Sequence, residues 1–243
     1  MAAEEHVSVA VRDDFVARQT KAKPVPALAE LLWNSLDGDA TNVSVEFAHN
    51  DLAGGMSKIV VYDDGDGFSR NDARALFGNL GGSWKRDIRH TKRNHRIIHG
   101  QEGRGRSKAF ALGQSVTWKV CYEDQSGRKA FEVRLLDADL TDVIISEEVC
   151  APERTTGVIV EIDDLRRDFK SFESKDGLQN LNEIFALYLM NYRNVAISIA
   201  GHRLDPEKVI ASHHKISLPP IEKDDGTKYD VDLEIIEWQT DAQ

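Results

Sequence analysis

The stretch Glu30-Leu31-Leu32-Trp33-Asn34-Ser35-Leu36-Asp37-Gly38-Asp39-Ala40, read with its flanks, decides the fold. Leu28, Leu31, Leu32 and Leu36 recur at helical spacing and predict a helix from about Ala27 to Leu36. Glu30 and Asn34 stand four residues apart and share one face of that helix. Their face borders the packed one, because Leu31 and Leu32 adjoin it. Taken alone, the pattern also suits an ordinary amphipathic helix. Upstream, Lys23-Pro24-Val25-Pro26 breaks a region, 12–39, that otherwise reads as helical. Downstream, Thr41–Ala48 alternates as a strand and Asn50–Gly55 reads as a turn. Lys58–Tyr62 is a short apolar strand that runs into Asp63-Asp64-Gly65-Asp66-Gly67, and Arg70–Phe77 looks helical.

Residues 78–105 break this regularity. They are rich in Gly, Arg, Lys and His and carry little apolar periodicity, the mark of a functional or mobile loop. Ser107–Leu112 reads as a helix, followed by strands at about Ser115–Glu123, Lys129–Leu136, Val143–Val149 and Val158–Ile162. Leu178–Tyr192 is a strongly patterned helix and Val195–Ala200 another strand. From about Leu204 the composition turns to prolines and charges. The alternating segment Tyr229–Trp238 then needs neighbours that little remaining chain can supply, so a second domain is expected to begin there.

The composition bounds the function. The chain has 243 residues, enough for one large domain or one domain and part of another. A net charge of −10 argues against a general polyanion coat but leaves room for a local basic patch. Charged residues at 30% and hydrophobic residues at 41% fit a soluble globular protein and exclude a disordered one. No apolar run approaches the roughly 18 residues of a membrane span. The acidic start MAAEEHV lacks the apolar core of a signal peptide. Cys121 and Cys150 can form neither a disulfide framework nor a four-cysteine zinc site, so a cytoplasmic location is expected.

Two further motifs bear on chemistry. The Asp63–Gly67 run lacks the ligand spacing, the glycine at position six and the terminal Glu of a calcium loop. It can be a plain turn, but two glycines one residue apart also let a ligand approach the backbone closely. Gly100-Gln101-Glu102-Gly103-Arg104-Gly105-Arg106-Ser107 nearly matches a phosphate-binding P-loop, yet Arg106 stands where lysine belongs and no buried strand precedes it. Lys108 occupies the third glycine position of a dinucleotide fingerprint, which excludes that reading. What remains is a glycine-rich helix start whose free N–H groups suit an anion. Thr155-Thr156-Gly157 precedes the strand Val158–Ile162 and alone says little.

Taken in order, an acid–amide helix, a D-x-G-x-G turn, a G-x-x-G-x-G helix start and a Thr-led strand resemble the GHKL ATPase superfamily. That group includes the ATPase component of DNA gyrase, the ninety-kilodalton heat-shock chaperone, histidine kinases and MutL. The resemblance covers about residues 25–165, continues to about 203, and leans toward the MutL, Microrchidia and chaperone members. It implies an α+β, Bergerat-type two-layer sandwich, a mixed sheet with helices on one face. A GHKL ATP-binding domain would occupy 1–203, and 204–243 would hold a linker and the start of a transducer-like domain.

Carried over by position, the resemblance makes Glu30 the general base that polarises the attacking water and Asn34 the Mg²⁺ ligand. Asp37 would support the site. Asp63 would read the adenine amino group, with Gly65 and Gly67 beside the nucleotide, Gly67 leaving room for the ring and Thr156 assisting through water. Gly100, Gly103 and Gly105 would offer backbone N–H groups to the phosphates. Gly81–His99 would form an ATP lid with Lys85 as the foremost phosphate contact. Its basic residues, Lys85, Arg86, Arg89, Lys92, Arg93 and Arg96, also suit a nucleic-acid surface. His90, His95 and His99 lack the cysteine partners that would favour zinc. The implied activity is Mg²⁺-dependent ATP binding and hydrolysis that closes the lid and drives homodimerisation of a longer protein. Two alternatives stand beside it: an ATP-sensing module without significant turnover, and a histidine-kinase-like phosphotransfer domain. Glu30 favours hydrolysis over the latter, and no dimerisation helix with a phosphoacceptor histidine precedes the motifs.

Overall fold

Helix α1 spans Pro24–Asp37, three residues earlier than the leucine pattern alone predicts. Prolines at its first turn cost nothing, because the N–H groups there have no helical acceptor. Ala27, Leu28, Leu31, Leu32 and Leu36 are almost wholly buried, each leucine contributing roughly 1.5–3 kcal/mol. The helix stops at Gly38, whose N–H bonds back to Asn34 and Ser35, and at Asp39, which has a positive φ of 66°. The computed structural model describes residues 5–8, 22–50, 54–78, 89–99 and 106–239. The predicted helical stretch at 12–21 therefore lies outside the described residues.

The elements continue as strands β1 (Glu5–Ser8, before α1), β2 (Asn42–His49) and β3 (Met56–Asp63), helix α2 (Arg70–Gly78), and strands β4 (Gly113–Asp124), β5 (Gly127–Leu136), β6 (Asp139–Ile145), β7 (Val149–Cys150) and β8 (Gly157–Leu165). Helix α3 (Lys175–Asn191) precedes β9 (Ala196–Ile199), β10 (His202–Arg203), β11 (Ile210–Glu222) and β12 (Lys228–Trp238). The segment predicted as a helix at Ser107–Leu112 is a tight 3₁₀ turn, Arg106–Ala111. The strand expected at Val143–Val149 instead divides into β6 and the two-residue β7, both on β5.

One sheet runs β1-β6-β5-β4-β8-β3-β2-β9-β10 and is mixed: β2 and β9 are parallel, the other pairs antiparallel. Period-two alternation turns Ile59, Val61, Val116, Trp118, Val120, Val160 and Ile162 to one face, where they share a core with α1, Ala73 and Phe77 of α2, and Leu181 and Phe185 of α3. On the opposite face Glu161 is paired with both Lys58 and Lys119. This is the two-layer α+β arrangement expected of the sequence, and it places the ends of α1, β3 and β8 side by side.

Strand β12 finds its neighbour within the chain, in β11, with which it forms a separate two-stranded ribbon. Pro219 and Pro220 disguise β11 in the sequence; the register shifts between Leu218 and Ile221, which accommodates residues that cannot donate to the ladder. Ile216 and Leu218 face Leu233 and Val231 on one side, while Lys215 pairs with Asp232 and Glu234 on the other.

Candidate nucleotide site

Glu30 and Asn34 lie on the half-buried edge of α1, as their spacing requires. The Glu30 carboxylate accepts a hydrogen bond from Lys108 Nζ, a partner that the sequence did not signal. Asn34 Nδ2 is buried and has no hydrogen-bond partner among the described residues. Asp37, one turn further, is buried and its Oδ1 accepts the His99 N–H at 2.9 Å. It thus ties the end of α1 to the last described residue of the basic segment.

The adjacent carboxylates Asp63 and Asp64 have opposite environments. Asp63 Oδ1 accepts the N–H groups of Gly65 and Val158, each at 3.0 Å. Burial pushes the Asp63 carboxyl above the usual carboxylate range, outweighing hydrogen bonds from Ser35, Gly65 and Val158. Asp64 instead accepts from the backbone and side chain of Thr41, at 2.6 and 2.8 Å, and of Asn42, at 2.8 and 2.7 Å. Burial raises its pKa, but these donors from Asn42 and Thr41 win and hold it below the usual range. Asp64 is therefore a staple for the start of β2, whereas Asp63 is a desolvated acceptor at the end of β3.

Gly67 has a φ of 65°, and a Cβ there would lie 2.4 Å from the Cys121 carbonyl oxygen. Asp66 N–H bonds to the Gly38 carbonyl at 2.8 Å, so the loop through Gly65 docks on the end of α1. The sequence marks Gly157 only as a neighbour of Thr156, yet a Cβ there would come within 2.0 Å of the Asp63 carbonyl oxygen. That close approach brings the half-buried Thr156 beside Asp63 and aims the Val158 N–H at its carboxyl. The second and fourth motifs thus meet at one end of the sheet.

Lys85, Gly100, Gly103 and Gly105 lie outside the described residues. Within the segment expected to form a loosely held lid, residues 89–99 are anchored. Thr91, Arg96 and Ile98 are buried, and His90 bridges Ile97. The fully buried Arg96 donates from Nη2 to the Ala40 carbonyl at 2.7 Å and lies 3.4 Å from Asp39 Oδ1. Asp39 also accepts the Arg93 N–H at 2.7 Å and the Asn94 N–H and side chain at 3.3 and 3.1 Å. Although burial raises it, hydrogen bonds from Thr91, Arg93 and Asn94 leave the Asp39 pKa lowered. The His99 ring stacks on Trp33 of α1 at 4.0 Å, and Ile97 N–H bonds to the Tyr192 hydroxyl. Arg93 reaches Asp66 at 3.3 Å, joining this pier to the D-x-G-x-G turn. Sequence reasoning missed the Asp39–Arg96 pair, because one buried arginine looks like its exposed neighbours.

Asn34 could offer a neutral, hard amide oxygen to a cation such as Mg²⁺, while its buried Nδ2, a donor without a partner among the described residues, suits an acceptor such as a phosphate oxygen. Among the described residues no three His, Cys, Asp or Glu side chains are grouped to hold a metal by themselves. No described helix is long and apolar enough to cross a membrane.

The chain is similar to known proteins over part of its length. DNA mismatch repair protein MutL of Dictyoglomus thermophilum is 41% identical over 63 residues, 26% of this chain and 10% of that protein. MutL of Opitutus terrae is 41% identical over 70 residues, 27% of this chain and 10% of the relative. MutL of Solibacter usitatus is 38% identical over 79 residues, 32% and 11% respectively. The matched stretch thus spans about a tenth of the length of these relatives. The model of the family described as histidine kinase-, DNA gyrase B-, and HSP90-like ATPase matches residues 22–159, more than half of the chain. By this match the chain belongs to the histidine kinase-, DNA gyrase B- and HSP90-like ATPase family.

Proposed function

We propose that this domain binds ATP with Mg²⁺ and hydrolyses it to ADP and phosphate. The observation that carries the reading is the convergence of two motifs. Asp63 presents a half-buried carboxyl with a raised pKa at the end of β3, and Glu30 and Asn34 line the adjoining edge of α1. Asp63 takes two backbone amides on Oδ1 and a bond from the Ser35 hydroxyl, and the remaining lone pairs of its carboxylate keep acceptor capacity for the adenine amino group. Gly67 and Gly157 let the chain pass close against the Cys121 and Asp63 backbone, which shapes the turn around that contact, and Thr156 stands beside it. Asn34 would hold the metal, whose charge offsets the triphosphate as negative charge shifts to the leaving oxygen. Glu30 orients a water and takes its proton as the oxygen–γ-phosphorus bond forms and the bond to the β-phosphate oxygen breaks. Lys85 and the glycines 100, 103 and 105 belong to the same proposal as phosphate contacts.

The proposal extends to the longer protein. Closure of the segment before the anchored residues 89–99 would accompany homodimerisation, and residues 204–243 would lead into a second domain that covers the apolar side of the β11–β12 ribbon. The exposed Arg89, Lys92 and Arg93, with Lys85 and Arg86 but without the buried Arg96, would contact nucleic-acid phosphates; that the similar MutL chains are named DNA mismatch repair proteins supports this part. The test of the central reading is Glu30→Gln in the longest chain that can be produced. ATP affinity should stay within a few-fold of wild type while turnover falls by about 10²–10⁴-fold. Turnover at the wild-type rate would remove Glu30 as the base. A wild type that binds ATP and never hydrolyses it would establish the sensing module instead.

A further inference from the structure

The Glu30 carboxylate is not free to meet water alone: Lys108 Nζ is bonded to its Oε1. Lys108 rises from the 3₁₀ turn Arg106–Ala111, directly after the glycines at 100, 103 and 105. Its base is rigid. Ser107, Ala109 and Phe110 are buried on either side, the Ala109 carbonyl accepts the Leu112 N–H at 2.9 Å, and the Phe110 carbonyl accepts Arg166 Nε at 2.5 Å. The two charged side chains are about a quarter exposed, at 26% for Lys108 and 28% for Glu30. An ion pair with that much access to water is weakly held and readily exchanged. A triphosphate entering beside Glu30 offers the ammonium a more highly charged acceptor, while a second negative group near Glu30 makes the original pair less favourable.

We propose that Lys108 is a positioning and specificity residue that holds Glu30 before nucleotide binds and exchanges it for the γ-phosphate of ATP. The exchange releases Glu30 Oε1 to accept the proton of the attacking water and leaves the ammonium against the group being transferred. ADP has no γ-phosphate to attract Lys108, so the lysine stays on Glu30 and the base stays occupied. The inference rests on the proposed ATP reading of the same site.

The test measures binding of Mg-ADP and of a non-hydrolysable Mg-ATP analogue by calorimetry to the whole chain, as wild type, Lys108→Ala and Lys108→Arg. Lys108→Ala should weaken the analogue about tenfold or more, as loss of a charge-assisted hydrogen bond does, and leave ADP within about twofold. Lys108→Arg should restore most of the analogue's affinity, because it keeps the charge and reach. ATP turnover by Lys108→Ala should fall in kcat with the same arginine rescue. Equal weakening of ADP and analogue would show that Lys108 only supports the turn and would overturn the proposal, as would unchanged affinity for both. Glu30→Gln separates the two levels. If it hydrolyses ATP like wild type, or if wild type binds neither nucleotide, the ATP reading fails and this inference with it. If Glu30→Gln is inactive and Lys108→Ala discriminates like wild type, only the role of Lys108 is refuted.

Discussion

Replacing Asp63 by asparagine should make the nucleotide-free domain more stable while making it a poorer ATP binder. The substitution is nearly isosteric. Asn keeps one carbonyl oxygen for the Gly65 and Val158 amides that now share Oδ1, and the Ser35 hydroxyl, which donates to the carboxyl, can turn to accept from the new NH₂ group. The substitution removes a carboxylate whose burial raises its pKa. A group raised in this way favours the folded state only below the ordinary carboxylate range, and that contribution is lost as pH rises through the native value. At neutral pH a carboxyl raised in this way is therefore held at a cost that asparagine removes, and the melting temperature should rise. Binding goes the other way. The second oxygen becomes an NH₂ group that faces the adenine amino group donor to donor, so one hydrogen bond to a charged acceptor is lost. Such a bond contributes about 1.5–3 kcal/mol, which corresponds to roughly 10- to 150-fold weaker ATP binding. Thermal denaturation without nucleotide and calorimetric titration with Mg-ATP measure the two halves separately. Unchanged ATP affinity would refute the adenine assignment. A lower melting temperature would refute the claim that the Asp63 charge is held at a cost.

Asp64→Asn should do the reverse and destabilise the domain by about 1–2 kcal/mol in chemical denaturation, because its lowered pKa reflects four donors that favour the charge. Its contribution is full above the ordinary carboxylate range and lost as pH falls through the lowered native value, so the variant's deficit should vanish in acid. Arg96→Met leaves Asp39 buried without its cation and should cost about 3–5 kcal/mol. Hydrogen exchange at Thr91 and Ile98, whose amides bond to the Arg96 and Arg89 carbonyls, should be slow in wild type without nucleotide and fast in that variant. Fast exchange in wild type would mean that residues 89–99 are not a fixed pier.

What the sequence determined by itself is what local spacing can carry. The leucines of α1, the alternation in β2, β4, β5 and β8 and the apolar run in α3 report burial at periods of 3.6 and 2, so those elements were legible to within a few residues. The order of the four short motifs identified the family and nominated Glu30, Asn34, Asp63 and Thr156. The tertiary structure alone decided what each charged side chain experiences. Asp63 and Asp64 are neighbours in the chain, yet one faces the Val158 amide from 95 residues away and the other the Thr41 amide from 23 residues away. Desolvation and hydrogen-bond donors act through space, so identical residues receive opposite pKa shifts. Arg96 is buried on Asp39 among exposed arginines for the same reason, and Lys108 meets Glu30 across 78 residues. The partner of β12 was hidden because two prolines broke the pattern of β11, and only a register shift within the ribbon accommodates them.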